Sequence, residues 1–300
     1  MNQGNQNQMC GQKQDQKSGQ KYKGIICIVL SAFCFALMNV FIRLAGDLPS
    51  VQKSFFRNLV AFFFALIIMK KDRIGFSGKK ENLFYLMIRS LFGLMGVLCN
   101  FYAVDHLVLA DASMLNKMSP FFAVLFSFLI LKERVSVKQA AAVVGAFLGS
   151  LLIIKPTGFN PTHLPALIGL MGGLGAGVAY TFVRLLGMKG EKGPFIVCFF
   201  SGFSTLVLLP VMLWGYVAMT LRQTLILLMA GLAAASGQFS ITAAYCYAPA
   251  KEISVFDYSQ IVFSAVFGFF LFGQMPDVYS WLGYLIICSM GIWMFVQQKK

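Results

Sequence analysis

The sequence predicts an all-α membrane protein whose ten transmembrane helices form two inverted five-helix repeats. Three observations predict it: an apolar excess with few charges, ten apolar runs near membrane-spanning length, and a match between the two halves. Of 300 residues, 58% are hydrophobic and 12% charged, whereas soluble domains carry roughly a quarter charged residues. A single soluble core stops growing at about 250–300 residues. Lipid is the solvent that accommodates the remaining apolar surface.

Residues 1–21 are rich in Gln, Asn, Gly and Lys. With little to bury, they predict a disordered tail. Ten apolar runs follow, at 24–45, 50–69, 82–103, 110–131, 138–154, 165–186, 194–214, 224–246, 252–273 and 279–297. Crossing about 30 Å of hydrocarbon takes roughly 20 helical residues, and the fifth run is short by that measure. The first run is too long for the apolar core of a signal peptide. Backbone polar groups in lipid must be satisfied internally, so each run is read as a helix. The short alternating segments of a barrel are absent. Pro120 and Pro210 fall inside runs, where a missing N–H kinks a helix.

The net charge is +14 and the pI about 9.6. A basic balance can signal nucleic acid, but the placement of these charges gives a topology instead. Seventeen Lys and Arg residues lie in the tails and loops on the N-terminal side, and three (Lys53, Lys155, Arg222) in loops on the other. Positive charge marks the inside, so both termini are read as cytoplasmic and the chain as a multi-pass plasma-membrane protein. Its environment is the bilayer and no nucleic-acid partner is expected. The seven cysteines form no Cys-x-x-Cys, and His106 and His163 are far apart. No metal site, disulfide framework or cofactor is expected. The cysteines are read as small buried side chains.

The halves align at an offset of 141 residues. Phe41, Arg43, Leu44 and Gly46 fall on Phe182, Arg184, Leu185 and Gly187, and Ala32 and Ala36 on Gly173 and Gly177. This divides the chain into a first repeat at 22–156 and a second at 163–297. Five helices per repeat invert the second copy in the membrane. Inverted repeats are a recurring plan in secondary transporters, where one copy rocks against the other around a central site.

Several segments resemble the EamA-type ten-helix permeases of the drug/metabolite transporter superfamily. They include Phe101–Ala103, Ala110–Pro120, Leu131–Val135 and Leu152–Pro156. In the second half they include Tyr247–Ala250, Phe256–Tyr258, Leu271–Gln274 and Gly283. The likeness covers residues 24–297. It implies a secondary carrier, an exporter or exchanger of amino-acid-like or nucleotide-like solutes. Where the second repeat of such permeases usually carries Phe-Gly-Glu, this chain has Gln274.

Charges inside a membrane cost at least about 2.5–3.5 kcal/mol at a helix centre, which makes them candidates for function. Arg57, Arg89, Lys117 and Asp257 each lie several residues inside a run. Subtracting the offset from Asp257-Tyr258 gives Asn116-Lys117, so two polar pairs occupy equivalent helices. Asn116, Lys117, Asp257 and Tyr258 are therefore read as lining one central cavity. A structural Lys117–Asp257 ion pair is the competing reading. Arg57 and Asn58 have a similar status, and three membrane cations against one acid suggest a carboxylate or phosphate on the substrate. Asp257, the one deep acid, is also a candidate carrier of a coupling proton. Asn39 and Tyr180 share a repeat position and either touch substrate or bond a neighbouring helix.

Gly169, Gly173 and Gly177 recur every fourth residue, a spacing for close helix approach. Gly172–Gly177 lacks the Lys-Ser/Thr of a phosphate-binding loop. The sequence has no Gly-x-Ser-x-Gly and no His-Glu-x-x-His motif, so neither a hydrolase elbow nor a zinc protease is indicated. The chain is read as a carrier of a small molecule, monomeric or homodimeric, and not as an enzyme. A membrane enzyme or a non-transporting scaffold is the alternative.

Overall fold

Apolar runs that cannot solvate their own backbone close it into helices, and every long run does so in the computed structural model. It describes residues 3–75, 80–131, 136–154, 164–247 and 256–297. In chain order the helices are α1 (Gln3–Leu44), α2 (Ser50–Lys71), α3 (Leu83–His106), α4 (Leu109–Asn116), α5 (Ser119–Leu131) and α6 (Val137–Ile154). Then come α7 (Leu164–Met188), α8 (Gly193–Trp214), α9 (Leu221–Tyr247), α10 (Ser259–Phe272) and α11 (Val278–Gln297). A 3-10 turn at Lys80–Asn82 leads into α3.

The chain is an all-α, multi-pass membrane protein. Among the described residues, seven helical segments are long and apolar enough to cross a bilayer, and three shorter apolar ones span 140–153, 259–272 and 278–293. Large apolar side chains such as Phe63, Phe84, Leu206, Phe270 and Leu285 stand exposed on the outside of the bundle. Such surface would be a liability in water and is the lipid face here.

Two differences from the sequence reading have physical causes. The single run at 110–131 is two helices, broken at Lys117–Met118. Pro120 lacks the N–H that an unbroken helix needs there. Lys53, counted as a loop residue, lies in the first turn of α2 and is fully buried. Lys132–Val135, Lys155–His163 and Ala248–Val255, which include parts of the quoted motifs and the expected boundary between the halves, lie outside the described residues.

The helices pack chiefly across the two halves. Helix α1 lies on α9, α3 on α7, α2 on α8 and α9, α6 on α11, and α4 on α10. Glycines set the closest approaches. A Cβ on Gly175 would sit 2.8 Å from the carbonyl of Phe92 on α3, and one on Gly173 would sit 2.6 Å from that of Leu115 on α4. Helix α7 is thus wedged between α3 and α4–α5.

Candidate functional site

The break after α4 leaves Lys117 at the end of one half-helix, with φ −75° and ψ 7°. Across from it, Phe256 and Asp257 are helical, and a turn at Tyr258 precedes α10. The two interruptions fall at positions 117 and 258, 141 residues apart. They bring Lys117 Nζ to 2.7 Å from Asp257 Oδ1, with side-chain exposures of 2% and 1%. The contact is a charge pairing without hydrogen-bond alignment, for neither carboxylate oxygen accepts a directed hydrogen bond. A buried ion pair in low dielectric holds only while both partners are present.

Beside this pair is a cavity of about 60 Å³, room for a few waters. Of the residues singled out from sequence, Arg57, Arg89, Asn116, Lys117 and Tyr180 line it. Both arginines face the ring of Phe200 on α8: Arg89 Cζ is 3.8 Å from its centroid and Arg57 Cζ 5.6 Å. Arg57 donates to Asn58 Oδ1 at 2.8 Å and to Gln238 Oε1 at 3.5 Å, and its Nε has no partner. Arg89 Nε and Nη1 are buried without a hydrogen-bond partner. Neither arginine has a carboxylate partner among the described residues.

The other candidates sit behind the cavity wall. Asn58 donates to Ser54 O at 2.9 Å on its own helix and accepts from Arg57. Asn39 accepts from Asn100 Nδ2 at 3.2 Å and lies 3.5 Å from Ser113 Oγ, which is 2.7 Å from Ser264 Oγ. That network ties α1, α3, α4 and α10 together. Tyr258 does not line the cavity: its ring packs over Gly291, whose Cβ, if present, would lie 2.5 Å from it. Asp257 reaches the cavity only through Lys117.

Three lining residues escaped the sequence reading: Asn100, Gln238 and Gln260. Each is a polar side chain in an apolar run, the signal that singled out Asn39. They are uncharged and match no polar residue at the offset except Ser119 for Gln260, so nothing ranked them.

The bundle's two ends differ. At the end holding the α3–α4 connection, Lys53 Nζ meets Asp105 Oδ1 at 2.7 Å, and Arg43 donates to the Val104 and Leu107 carbonyls at 3.3 and 2.8 Å. There Gln274 Oε1 accepts the Leu109 N–H at 3.1 Å, supplying α4 with a cap. At the opposite end a cleft of about 520 Å³ is lined by Asp72, Glu191, Lys192 and Tyr245, among others. The rings of Tyr245 and Tyr180 stack at 5.2 Å. They stand between the cleft, which Tyr245 lines, and the central cavity, which Tyr180 lines.

Comparison with known proteins fits this architecture. The EamA-like transporter family model matches residues 22–155. The pseudopaline exporter CntI of Pseudomonas aeruginosa (strain UCBPP-PA14) is 32% identical, over 88% of this chain and 93% of its own length. An uncharacterized transporter of Helicobacter pylori (strain ATCC 700392 / 26695) is 28% identical, over 89% of this chain and 92% of its own. A solved crystal structure superposes with a TM-score of 0.69, covering 94% of this chain and 99% of the other at 14% identity, a likeness of fold. These relatives are transporters rather than enzymes, and this chain belongs to the EamA-like transporter family.

Proposed function

We propose that this protein is a ten-helix secondary carrier that moves a small amino-acid-like or nucleotide-like solute by alternating access between two inverted repeats. The observation that carries the proposal is the pair of helix breaks 141 residues apart, which meet as Lys117 and Asp257 beside the central cavity. Broken helices at the middle of the membrane are where carriers of this plan bind solute. The packing supports the same symmetry. Exchanging the halves turns α1 on α9 into α7 on α3, and leaves α2 on α8 and α6 on α11 unchanged.

The distribution of Lys and Arg favours cytoplasmic termini in a plasma membrane. The cleft of about 520 Å³ is then cytoplasmic, and the end sealed by Lys53–Asp105 faces out. A carrier resting in this form is open toward the cytoplasm, which suits an exporter, as one relative is named. The cavity of about 60 Å³ must widen for a metabolite to enter, and parting of the Tyr180–Tyr245 stack provides a route. The site is complete within one chain, so a monomer suffices.

Asp257 is the proposed coupling group. A proton on its carboxylate cancels the attraction for Lys117 and releases that ammonium into the cavity. Solute binding and proton binding then compete for, or cooperate through, the same lysine.

Uptake by proteoliposomes of a panel of amino acids, nucleosides and organic ions, with and without a pH gradient, tests the proposal. Accumulation of one solute class by the wild type, dependent on the gradient and lost in Asp257→Asn, is expected. Accumulation that ignores the gradient and survives Asp257→Asn removes the proton from the mechanism. No accumulation by folded protein overturns the carrier reading.

A further inference from the structure

Two guanidinium groups in the middle of a membrane protein need a reason to be there. Arg57 and Arg89 are each 2% exposed, and each faces Phe200. A cation over an aromatic face gains less than desolvating a buried ion costs. Lys117 has its own acid. Among the described residues Arg57 and Arg89 have none, and Nε of both and Nη1 of Arg89 lack hydrogen-bond partners while the two side chains line the cavity. Buried donors without acceptors are rare in native proteins and call for a specific explanation.

The neighbours of these arginines are arranged to leave the charge uncompensated. Arg57 is steadied by neutral acceptors, Asn58 and Gln238. Apart from Lys117, the remaining polar side chains on the wall, Asn100, Asn116, Tyr180 and Gln260, are also neutral. Position 93 is glycine, and Arg89 Nη1 occupies the space its Cβ would need, 2.7 Å from where that atom would lie. The guanidinium is thus seated against α3 and Phe200 with Nε and Nη1 unused.

We infer that the central cavity is an anion subsite in which Arg57 and Arg89, seated at Phe200, receive a carboxylate group of the transported solute. The planar fork of a guanidinium matches the two oxygens of a carboxylate, and a cavity of about 60 Å³ admits such a group before it admits the rest of a metabolite. Asn100 and Gln238 flank the cavity as neutral side chains that can meet uncharged parts of the solute. The inference rests on the carrier reading for its biological meaning, but binding can be measured apart from transport.

The experiment measures thermal unfolding of the full-length protein in detergent with succinate or citrate, against neutral succinamide, cationic putrescine and potassium chloride at matched ionic strength. The two carboxylates are expected to raise the melting midpoint of the wild type above every control. Arg89→Gln is expected to weaken their apparent affinity about tenfold to a hundredfold, the worth of one or two charge-assisted hydrogen bonds. Arg89→Lys keeps the charge without the fork and is expected to retain part of the shift, which guards against a fold defect in the glutamine variant. Carboxylates that do no better than succinamide or chloride overturn the inference, as does a shift of wild-type size in a folded Arg89→Gln.

The same proteins in proteoliposomes separate this inference from the carrier reading. A neutral or cationic solute that accumulates equally well in wild type and Arg89→Gln keeps the carrier and discards the anion subsite. Carboxylate binding without accumulation of any solute keeps the subsite and discards the carrier.

Discussion

Gly93 and Arg89 lie one turn apart on α3, and the guanidinium of Arg89 occupies the space a side chain at position 93 would need. A Cβ there would lie 2.7 Å from Nη1 and 3.0 Å from Phe200 Cε2. Both obstacles are side-chain ends, so Gly93→Ala shifts the arginine head and leaves the helix in place. Alanine is also the better helix residue, by about 1 kcal/mol. The expected outcome is a melting midpoint equal to or above wild type, with a several-fold weaker affinity for a carboxylate solute. An unchanged affinity would mean that the seat of Arg89 has no bearing on binding.

Lys117 and Asp257 stabilise the protein only as a pair. Lys117→Met or Asp257→Leu alone strands a buried charge and is expected to cost about 3–5 kcal/mol. The double variant removes both charges and is expected to lose less than either single. Unfolding in mixed micelles gives the comparison. Losses that add across the double variant would show that the two side chains do not depend on each other. Transport by a stable double variant would confine the pair to a structural role.

At the sealed end, Lys53 is fully buried and Asp105 is 21% exposed. Asp105→Asn keeps the shape and removes the charge that holds the lysine, favouring separation of α2 from α3. A cysteine at Asn116, in a background with the native cysteines replaced, reports access from that side through its rate of labelling by an impermeant thiol reagent. Asp105→Asn is expected to raise that rate several-fold. An equal rate would mean that closure does not depend on this ion pair.

Gln274 stands where related permeases usually carry an acid, and its side chain caps α4 at Leu109. Gln274→Ala is expected to cost about 0.5–2 kcal/mol, the worth of a helix cap, while Gln274→Glu keeps an acceptor and holds stability near wild type. Thermal unfolding checks both. A loss in the glutamate variant as large as in the alanine variant would argue that the amide nitrogen, not the capping oxygen, does the work.

Gly177 presses against α5, where an added Cβ would lie 2.5 Å from Phe122 Cβ and 2.8 Å from the Ser119 carbonyl. Neither atom can swing away as a long side chain would. Gly177→Ala is expected to destabilise by about 1–3 kcal/mol through overpacking, more than the helix propensity of alanine returns. A variant as stable as wild type would mean that α5 yields readily at this contact.

The helices were legible because lipid imposes them: a run such as 194–214 has no other way to satisfy its backbone, and α8 spans Gly193–Trp214. Charge was legible for the same reason, and Arg57, Arg89 and Lys117 reach one cavity. Neutral residues were less legible, because an Asn or Gln costs little in a helix bundle and its direction depends on rotation about the helix axis. Asn100 and Gln238 were passed over on that account. Asn58 and Tyr258 were singled out, yet one bonds its own helix and the other packs on Gly291. The break of the fourth run was foreshadowed by Pro120, but its exact place depends on contacts with α7 and α10.

The two halves of the chain differ in the charge their helices carry. Helices α2 and α3 carry Arg57 and Arg89 in their interiors, while α8 carries no charged residue and α9 only Arg222, in its first turn. A duplicated chain with identical halves would have two end states of equal energy, each the other with the halves exchanged. Here Arg57, Arg89 and Lys117 belong to one half and face Phe200 and Asp257 from the other. Under the proposed alternating access, that asymmetry lifts the degeneracy and gives the empty carrier a preferred resting side, set by its own sequence before any gradient acts on it.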